Sequence, residues 1–338
     1  FRRVLFRSMK AYVVHEPGGP EVLELEDIPE PRAQPGQVLI GIRAFGLNRA
    51  EAVTRMGGSG DAVPFPKVIG IECVGTVLDC PGGELARGQT VAAVMGGMGR
   101  KFNGSYAEKT VAPVSNVFPV QTHLDWTTLA SLPETYLTAW GCAIEALGMD
   151  RVKHPRVLVR PGASALGVAI AQIVNHLGGA VVGVTRSVKK VEKLWKVGMK
   201  EVLVSDGPVA KRLRFIWPEG ADGVVDTIAS QATLADDFAL KKGKARICVA
   251  GSLAESYATG PSPDFQEILR DPAVAFFSSE NLNATKDGRK LQEIVRRVEE
   301  GYYLPYIDAI YPFEELVRAH EAMERNAFAG KVVVMLAP

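Results

Sequence analysis

The pattern of apolar and polar positions changes character near residue 125. Before that point the apolar residues form short runs of strand length, and glycine and proline separate one run from the next. We therefore expect a compact all-β module in the first third of the chain. Its predicted strands cover residues 11–15, 37–44, 68–78, 90–94 and 106–112.

Beyond residue 125, strand-length apolar runs alternate with helical patterns. This alternation is typical of βαβ units that share one parallel sheet. A predicted helix over 129–147 opens this part, and a later helix has Ser187 as its candidate N-cap and Gly198 as its candidate C′ residue. The predicted strands cover residues 157–159, 181–185, 201–204, 223–228, 246–250 and 273–277.

The chain closes with helical patterns over 289–300 and 313–325 and an apolar strand over 331–336. We expect this strand to return to the first module, which makes that domain discontinuous. The predicted fold class is α/β, with a parallel-sheet domain over 126–284 beside an all-β domain formed by 9–125 and 285–338. Residues 1–8, basic and apolar ahead of Met9, are interpreted as a non-native extension.

Composition and charge narrow the function classes. A net charge of +1 gives no global field for nucleic acid, and the longest apolar runs are too short or too interrupted by charge to cross a membrane. The four cysteines form no C-x-x-C pair, so a zinc knuckle is excluded and reduced thiols in a cytoplasmic protein are expected. We therefore expect neither a nucleic-acid nor a membrane partner.

A glycine-bearing turn at residues 162–167 indicates a cofactor. The sequence GASALG follows a predicted strand and opens a helical pattern, which is the arrangement that places main-chain N–H groups and a helix N-terminus against a pyrophosphate. Ser164 stands where the strict G-x-G-x-x-G fingerprint has its second glycine, so the motif alone is weak. The alternative is an ordinary parallel-sheet crossover with a solvated basic turn.

The end of the second predicted strand favours NADPH over NADH. Roughly 20 residues after the turn, an NAD enzyme carries an acid that binds the ribose 2′-hydroxyl. This chain has Arg186 there, with Ser187 and Lys190 behind it, which suits a 2′-phosphate.

Several local motifs resemble the zinc-independent quinone oxidoreductase branch of the medium-chain dehydrogenase/reductases. The resemblance covers Met9 to the C-terminus and implies a GroES-like all-β catalytic domain, a Rossmann-type NADPH domain and a homodimer. The motifs are GLNRAE (46–51), FPKVIGIE (65–72), NGSYAE (103–108), LTAW (137–140), AHEAME (319–324) and GKVVV (330–334).

The same resemblance implies that no metal is bound. Zinc alcohol dehydrogenases carry a cysteine where this chain has Asn48, and a histidine where it has Ile71. Their four-cysteine lobe is also missing, because residues 96–101 contain no thiol. Zinc sites require at least three protein ligands.

By resemblance, Asn48 and Thr138 are the candidate catalytic residues, beside the nicotinamide and the substrate. The alternatives are a turn residue for Asn48 and a helix-interior hydroxyl that bonds back to a carbonyl for Thr138. Lys331 either approaches the cofactor or caps a domain interface. The cofactor set predicted in all is Asn48, Thr138, Ser164, Ala165, Leu166, Gly167, Thr185, Arg186, Ser187, Lys190, Ser205, Thr227, Ala250, Gly251, Ser252 and Lys331.

These expectations lead to a metal-free, NADPH-dependent reductase of a quinone or an α,β-unsaturated carbonyl. Such substrates carry their own electron sink, so positioning and one or two hydrogen-bond donors suffice. Some relatives place a tyrosine proton donor where this chain has Val53, so the proton source stays open between solvent and a protein group. The alternatives are a reductase of activated ketones and a non-catalytic NADPH-binding structural protein.

Overall fold

The computed structural model describes residues 7–59, 63–251, 267 and 270–337. Within them the strands fall into two large sheets and one small antiparallel pair. The strands of the amino-terminal part are β1 (Ser8–Val13), β2 (Glu24–Pro29), β3 (Gln37–Gly46), β4 (Glu72–Asp79), β5 (Thr90–Val94), β6 (Lys109–Pro113) and β7 (Val117–Pro119). Those of the middle part are β8 (Arg156–Arg160), β9 (Ala180–Thr185), β10 (Glu201–Val204), β11 (Ala221–Asp226), β12 (Lys241–Val249) and β13 (Val274–Phe276). The last two are β14 (Ile307–Pro312) and β15 (Lys331–Met335).

The carboxyl-terminal strand returns to the first sheet, as the sequence predicts. The order of that sheet is β14-β15-β3-β4-β5-β7, and β6 also pairs with β3. β15 runs antiparallel to the end of β3, where Val333 lies opposite Gly46. This pairing brings Lys331, the first residue of β15, next to the segment that follows β3.

The second sheet is parallel throughout and has the order β10-β9-β8-β11-β12-β13. Counted from β8 as the first strand, this is the 3-2-1-4-5-6 order of a Rossmann-type sheet. Its strand order reverses between β8 and β11, which is where such sheets bind ligands. The predicted parallel sheet and α/β fold class are therefore confirmed.

The helices are shorter and more interrupted than the apolar periodicity predicts. The predicted helix over 129–147 is two helices and a π-helical segment (Gly141–Ala146), because Pro133 starts a new helix. Ser187 makes no capping hydrogen bond, so its predicted N-cap role is wrong: a short 3-10 turn (Val188–Lys190) intervenes. Gly198, with φ of 97°, does follow the helix as its C′ residue. The helices are α1 (Arg49–Arg55), α2 (Trp126–Ala130), α3 (Pro133–Trp140), α4 (Ala165–His176), α5 (Val191–Lys196), α6 (Ala210–Ile216), α7 (Gln231–Leu240), α8 (Ala284–Glu299) and α9 (Leu316–Glu324).

One apolar core joins the two sheets through α3 and α4. Ala44 of β3 and Ile71, which directly precedes β4, belong to the same buried cluster as Val159 and Val225 from the second sheet. A separate cluster fills the first sheet's other side, and another fills the outer face of the parallel sheet. No helix among the described residues is long and apolar enough to cross a membrane.

Candidate active site

A buried ion pair and an amide form the centre of the site. Lys331 Nζ donates to Glu72 Oε1 at 2.6 Å and to Asn48 Oδ1 at 2.8 Å. Asn48 Nδ2 in turn donates to the same Glu72 oxygen at 2.9 Å. The side chains of Lys331 and Glu72 are 3% and 0% exposed. Three residues far apart in the sequence therefore form one closed triangle of hydrogen bonds.

Local structure explains why these three side chains meet. β3 ends at Gly46, where an added Cβ would lie only 2.2 Å from the Lys331 side chain, so glycine leaves room for the lysine. Asn48 is the N-cap residue of α1, and its main-chain N–H donates to Glu51 Oε2 at 2.6 Å. Glu72 opens β4, and the main-chain N–H of Glu134 donates to its second oxygen at 2.9 Å.

A series of buried polar side chains is hydrogen-bonded to this centre through Glu51, which accepts from the Asn48 main chain. Tyr106 OH donates to Glu51 Oε2 at 2.9 Å and lies 2.8 Å from His320 Nε2. The other His320 ring nitrogen lies 2.9 Å from an Arg55 guanidinium nitrogen, and Arg55 pairs with Glu324. Burial raises the pKa of Glu51 to about 7, and burial together with Arg55 lowers the pKa of His320 to about 3. His320 is therefore neutral at physiological pH.

Glu134, at the start of α3, is a second carboxyl group beside the centre. Its Oε1 accepts hydrogen bonds from Ser279 Oγ at 2.7 Å and Thr138 Oγ1 at 3.2 Å. Its Oε2 is buried and has no partner among the described residues. Burial, and then the nearby Glu72 carboxylate, raise the pKa of Glu134 to about 7. Thr138 thus bonds to a side chain and not to the main-chain carbonyl that a solitary helix hydroxyl would choose.

The turn between β8 and α4 has the close packing that a phosphate-binding loop needs. An added Cβ at Gly162 would lie 2.7 Å from Gly183 Cα, and one at Gly167 would lie 2.5 Å from the Gly162 oxygen. Ser164 is the N-cap of α4: its hydroxyl accepts from the Gly167 N–H at 3.0 Å and donates to the Pro161 carbonyl at 2.9 Å. Ala165 and Leu166, partly exposed, form the first turn of the helix.

The other predicted cofactor residues lie at or just beyond the carboxyl ends of the parallel strands. Because parallel strands end at the same edge, these residues lie around one crevice. Among them, the Thr227 N–H donates to the Arg160 carbonyl at 2.9 Å, which ties β11 to the phosphate turn. Ser252 lies outside the described residues. The strand-end set is Thr185, Ser205, Thr227, Ala250 and Gly251.

The predicted 2′-phosphate residues are placed in two different ways. Arg186 is exposed directly after β9, and no hydrogen bond or ion pair involves its guanidinium within the described part of the chain. Lys190 Nζ instead donates to the carbonyls of Asn326 at 3.0 Å and Phe328 at 2.5 Å. Lys190 therefore spans from the parallel-sheet domain to the turn before β15.

The comparisons with known proteins agree with this architecture. One family model, described as "Alcohol dehydrogenase GroES-like domain", matches residues 34–122, and another, described as "Zinc-binding dehydrogenase", matches residues 197–334. A quinone oxidoreductase of Lama guanicoe is 27% identical over 339 residues, which is 98% of each chain. The human quinone oxidoreductase is 26% identical over 334 residues, also 98% of each chain. The chain belongs to the medium-chain dehydrogenase/reductases, in their quinone oxidoreductase branch.

The chain is thus an oxidoreductase of this superfamily, with the GroES-like and Rossmann-like parts that the sequence predicts. Among solved structures, a mycobacterial protein complexed with NADPH is 26% identical and superimposes with a TM-score of 0.83. The match covers 97% of this chain and 100% of that one.

Sequence reasoning missed the acidic and basic partners at the site of this medium-chain dehydrogenase/reductase. Glu51, Glu72, Glu134 and the Arg55–His320 contact are not among the site residues that the sequence predicts. One signal was present in the sequence: Glu72 and Lys331 each adjoin apolar residues that the pattern assigns to strands. A charge in such a position is buried and needs a counter-charge.

Proposed function

We propose that this protein is a metal-free, NADPH-dependent reductase of quinones or α,β-unsaturated carbonyl compounds. The observation that carries the proposal is the triangle of Lys331, Glu72 and Asn48, because it joins Asn48, which by resemblance stands at the cysteine position of zinc alcohol dehydrogenases, to a buried lysine and a buried glutamate. Glu72 already accepts hydrogen bonds from Lys331, Asn48 and the Glu134 main chain. These groups offer an ammonium, an amide and a carboxylate, and zinc prefers thiolate and imidazole donors.

The residues near Asn48 do not fit a zinc ion. Ile71, which stands at the histidine position, is a buried core residue whose N–H donates to Glu51. Within the described residues, the group of His, Asp and Glu close enough to share an ion is His15, Glu24 and Glu26, on the molecular surface. No step of the proposed reaction therefore uses a metal.

The residues at the sheet edge fit a nicotinamide dinucleotide. When bound, its nicotinamide supplies a hydride. The close approach at Gly162 and Gly167 leaves no side chain over the turn, and the N-terminus of α4 offers partial positive charge to a pyrophosphate. The exposed Arg186 guanidinium is available to a 2′-phosphate. The NADPH bound to the mycobacterial relative supports the choice of cofactor.

Asn48, Lys331 and Glu134 divide the remaining work in the proposal. Asn48 Oδ1 has a second lone pair for a cofactor or substrate hydroxyl, and Lys331 fixes the amide orientation. The Lys331 ammonium also lowers the energy of negative charge that develops nearby. Glu134, with its pKa raised to about 7, can hold at Oε2 the proton that the reduced product requires. This carboxyl group takes the place of the missing tyrosine.

A reductase of activated ketones is the second candidate. The buried Lys331 ammonium favours it, since a localised alkoxide needs a stronger electrostatic partner than a delocalised enolate does. The two candidates share their cofactor and differ in the acceptor. A turnover assay that follows NADPH loss with quinones, enones and ketones separates them, and absence of turnover with every acceptor would favour a structural NADPH-binding protein.

We also propose a homodimer. Among the described residues, β13 is an edge strand of the parallel sheet. Phe276, the last residue of β13, is 56% exposed. An apolar edge strand of this kind favours pairing with a second chain. Light scattering after size-exclusion chromatography tests this: twice the 36.4 kDa mass of one chain supports it, and a monomer contradicts it.

A further inference from the structure

We propose that Arg49, from the GroES-like part, is a second arm of the 2′-phosphate site opposite Arg186, so that one phosphate joins the two parts of the chain. This inference rests on the proposed NADPH dependence. It adds a specificity-determining residue that neither the phosphate turn nor the end of β9 contains. Arg49 is the first residue of α1, directly after Asn48.

Asn326 brings the cations together. Arg49 Nη2 donates to the Asn326 side-chain oxygen at 2.6 Å, and Lys190 Nζ donates to the Asn326 main-chain oxygen at 3.0 Å. Asn326 has φ of 53°, a left-handed conformation that asparagine tolerates better than most residues. The head groups of Arg49 and Lys190 are therefore both held by Asn326. Lys190 in turn lies four positions after Arg186 in the sequence.

The cations Arg49, Arg186 and Lys190 together carry more positive charge than their acidic neighbours neutralise. Burial lowers the pKa of Arg49, Glu324 opposes that change, and Arg186 adds to it. The pKa of Lys190 is lowered by burial and by the cations Lys193, Arg186 and Arg49, against the opposing effect of Asp308. The two acidic neighbours are already paired, Glu324 with Arg55 at 2.5 Å and Asp308 with Lys193 at 2.8 Å.

A phosphate monoester dianion is the ligand that matches this arrangement. Arginine presents five N–H donors in a planar fork, and one of those on Arg49 is used by Asn326. Guanidinium groups on both sides of a phosphate bind it with charge-assisted hydrogen bonds. The half-buried position of Arg49 reduces competition from water, since it is less exposed than Arg186. NADH lacks this phosphate and gains nothing from the second arm.

The test is calorimetric titration of the full chain with NADPH, NADH, adenosine 2′,5′-bisphosphate and 5′-AMP. Arg49→Gln is expected to lower the affinity for NADPH and for the bisphosphate about tenfold each. It is expected to lower the affinity for NADH and 5′-AMP less than about twofold. Arg49→Lys keeps the positive charge but lacks the planar fork of N–H donors, so its affinity for NADPH and for the bisphosphate is expected to fall about threefold. Lys193→Gln is the matched control, because it removes one cation that is already committed to Asp308.

The outcomes separate this inference from the proposed function. Equal affinity of the wild-type protein for NADPH and NADH overturns the proposed cofactor preference and this inference with it. NADPH preference that is lost in Arg186→Gln but unchanged in Arg49→Gln overturns the role of Arg49 alone. Equal losses for NADPH and NADH in Arg49→Gln assign the residue to domain contact and also contradict the inference. If Arg49→Gln fails to fold, the Arg49→Lys comparison decides: an unchanged preference for NADPH contradicts the inference.

Discussion

The Lys331 ammonium nitrogen lies 2.6 Å from Glu72 Oε1, and the two side chains are 3% and 0% exposed. Removal of one partner leaves a buried, uncompensated charge, which typically costs about 3–5 kcal/mol. We expect Lys331→Met to lower the free energy of unfolding by about that amount in urea titrations. The Lys331→Met/Glu72→Gln double variant is expected to recover part of the loss, because no lone charge remains.

The surface pair Lys196–Glu192 provides the control for this prediction. Its side chains are 71% and 75% exposed, and exposed pairs contribute little to stability. Lys196→Met should therefore leave the urea midpoint nearly unchanged. A Lys331→Met variant as stable as the Lys196→Met variant would show that the buried pair is not formed.

The Glu134 carboxyl group is expected to make stability depend on pH. Its folded-state pKa of about 7 lies above the ordinary value of about 4.3, so the folded protein binds more protons than the unfolded one between these values. Stability contributed by this group therefore falls as the pH rises from about 4.5 to about 7. Glu134→Gln removes this slope. The free energy of unfolding of the variant, relative to that of the wild type, is therefore expected to be higher at pH 8 than at pH 5, by on the order of 1 kcal/mol.

Thermal melting across this pH range checks the prediction. Glu192→Gln, which removes a carboxyl group that is 75% exposed, should produce no change of this sign. A Glu134→Gln profile parallel to that of the wild type would contradict the raised pKa. In turnover assays the same variant is expected to lose the limb of the pH–rate profile near pH 7 if Glu134 holds the product's proton.

Two glycine substitutions are expected to have opposite effects, because Gly167 is closely packed at the phosphate turn and the Cβ position of Gly288 faces open space. Gly167→Ala places a Cβ 2.5 Å from the Gly162 oxygen, so the variant is expected to lose both stability and dinucleotide affinity. Gly288→Ala, within α8, meets nothing within 4 Å and is expected to stabilise by about 0.5–1 kcal/mol. Melting temperatures and calorimetric NADPH titrations test both. Unchanged NADPH affinity in Gly167→Ala would contradict the placement of the pyrophosphate.

The donor set at Asn48 and Glu72 predicts that turnover is independent of zinc. Elemental analysis of the purified protein should find less than stoichiometric zinc, and a chelator should leave both activity and the melting temperature unchanged. A chelator-sensitive fold would reveal a structural metal, since such sites contribute to folding directly.

The sequence predicts helices, strands and turns well where the apolar residues of a segment follow a single helical or strand period. The turn at residues 162–167 is identified by its flanking strand and helix, and the predicted 201–204 strand coincides with β10. The helix over 129–147 is divided because Pro133 favours a helix start. α8 begins at Ala284, earlier than its predicted start at residue 289, because Asn283 caps it with a hydrogen bond to the Thr285 N–H.

The site is less predictable because its contacts join distant parts of the chain. Lys331 and Asn48 are 283 residues apart, and Tyr106 and His320 are 214 apart. No periodicity connects such positions, and only the pairing of β15 with β3 brings Lys331 to Asn48. Resemblance supplied the candidate roles of Asn48 and Lys331, but it did not supply their contact.

We propose that this chain transfers hydride from NADPH to an electron-poor acceptor without a metal. The most direct test of this proposal is the rate of NADPH oxidation by the chelator-treated protein with matched quinones, enones and simple aliphatic ketones. We expect turnover with at least one quinone or enone, little turnover with aliphatic ketones, and a lower rate in Asn48→Ala. Rapid reduction of aliphatic ketones, with no activity on any quinone or enone, would contradict it.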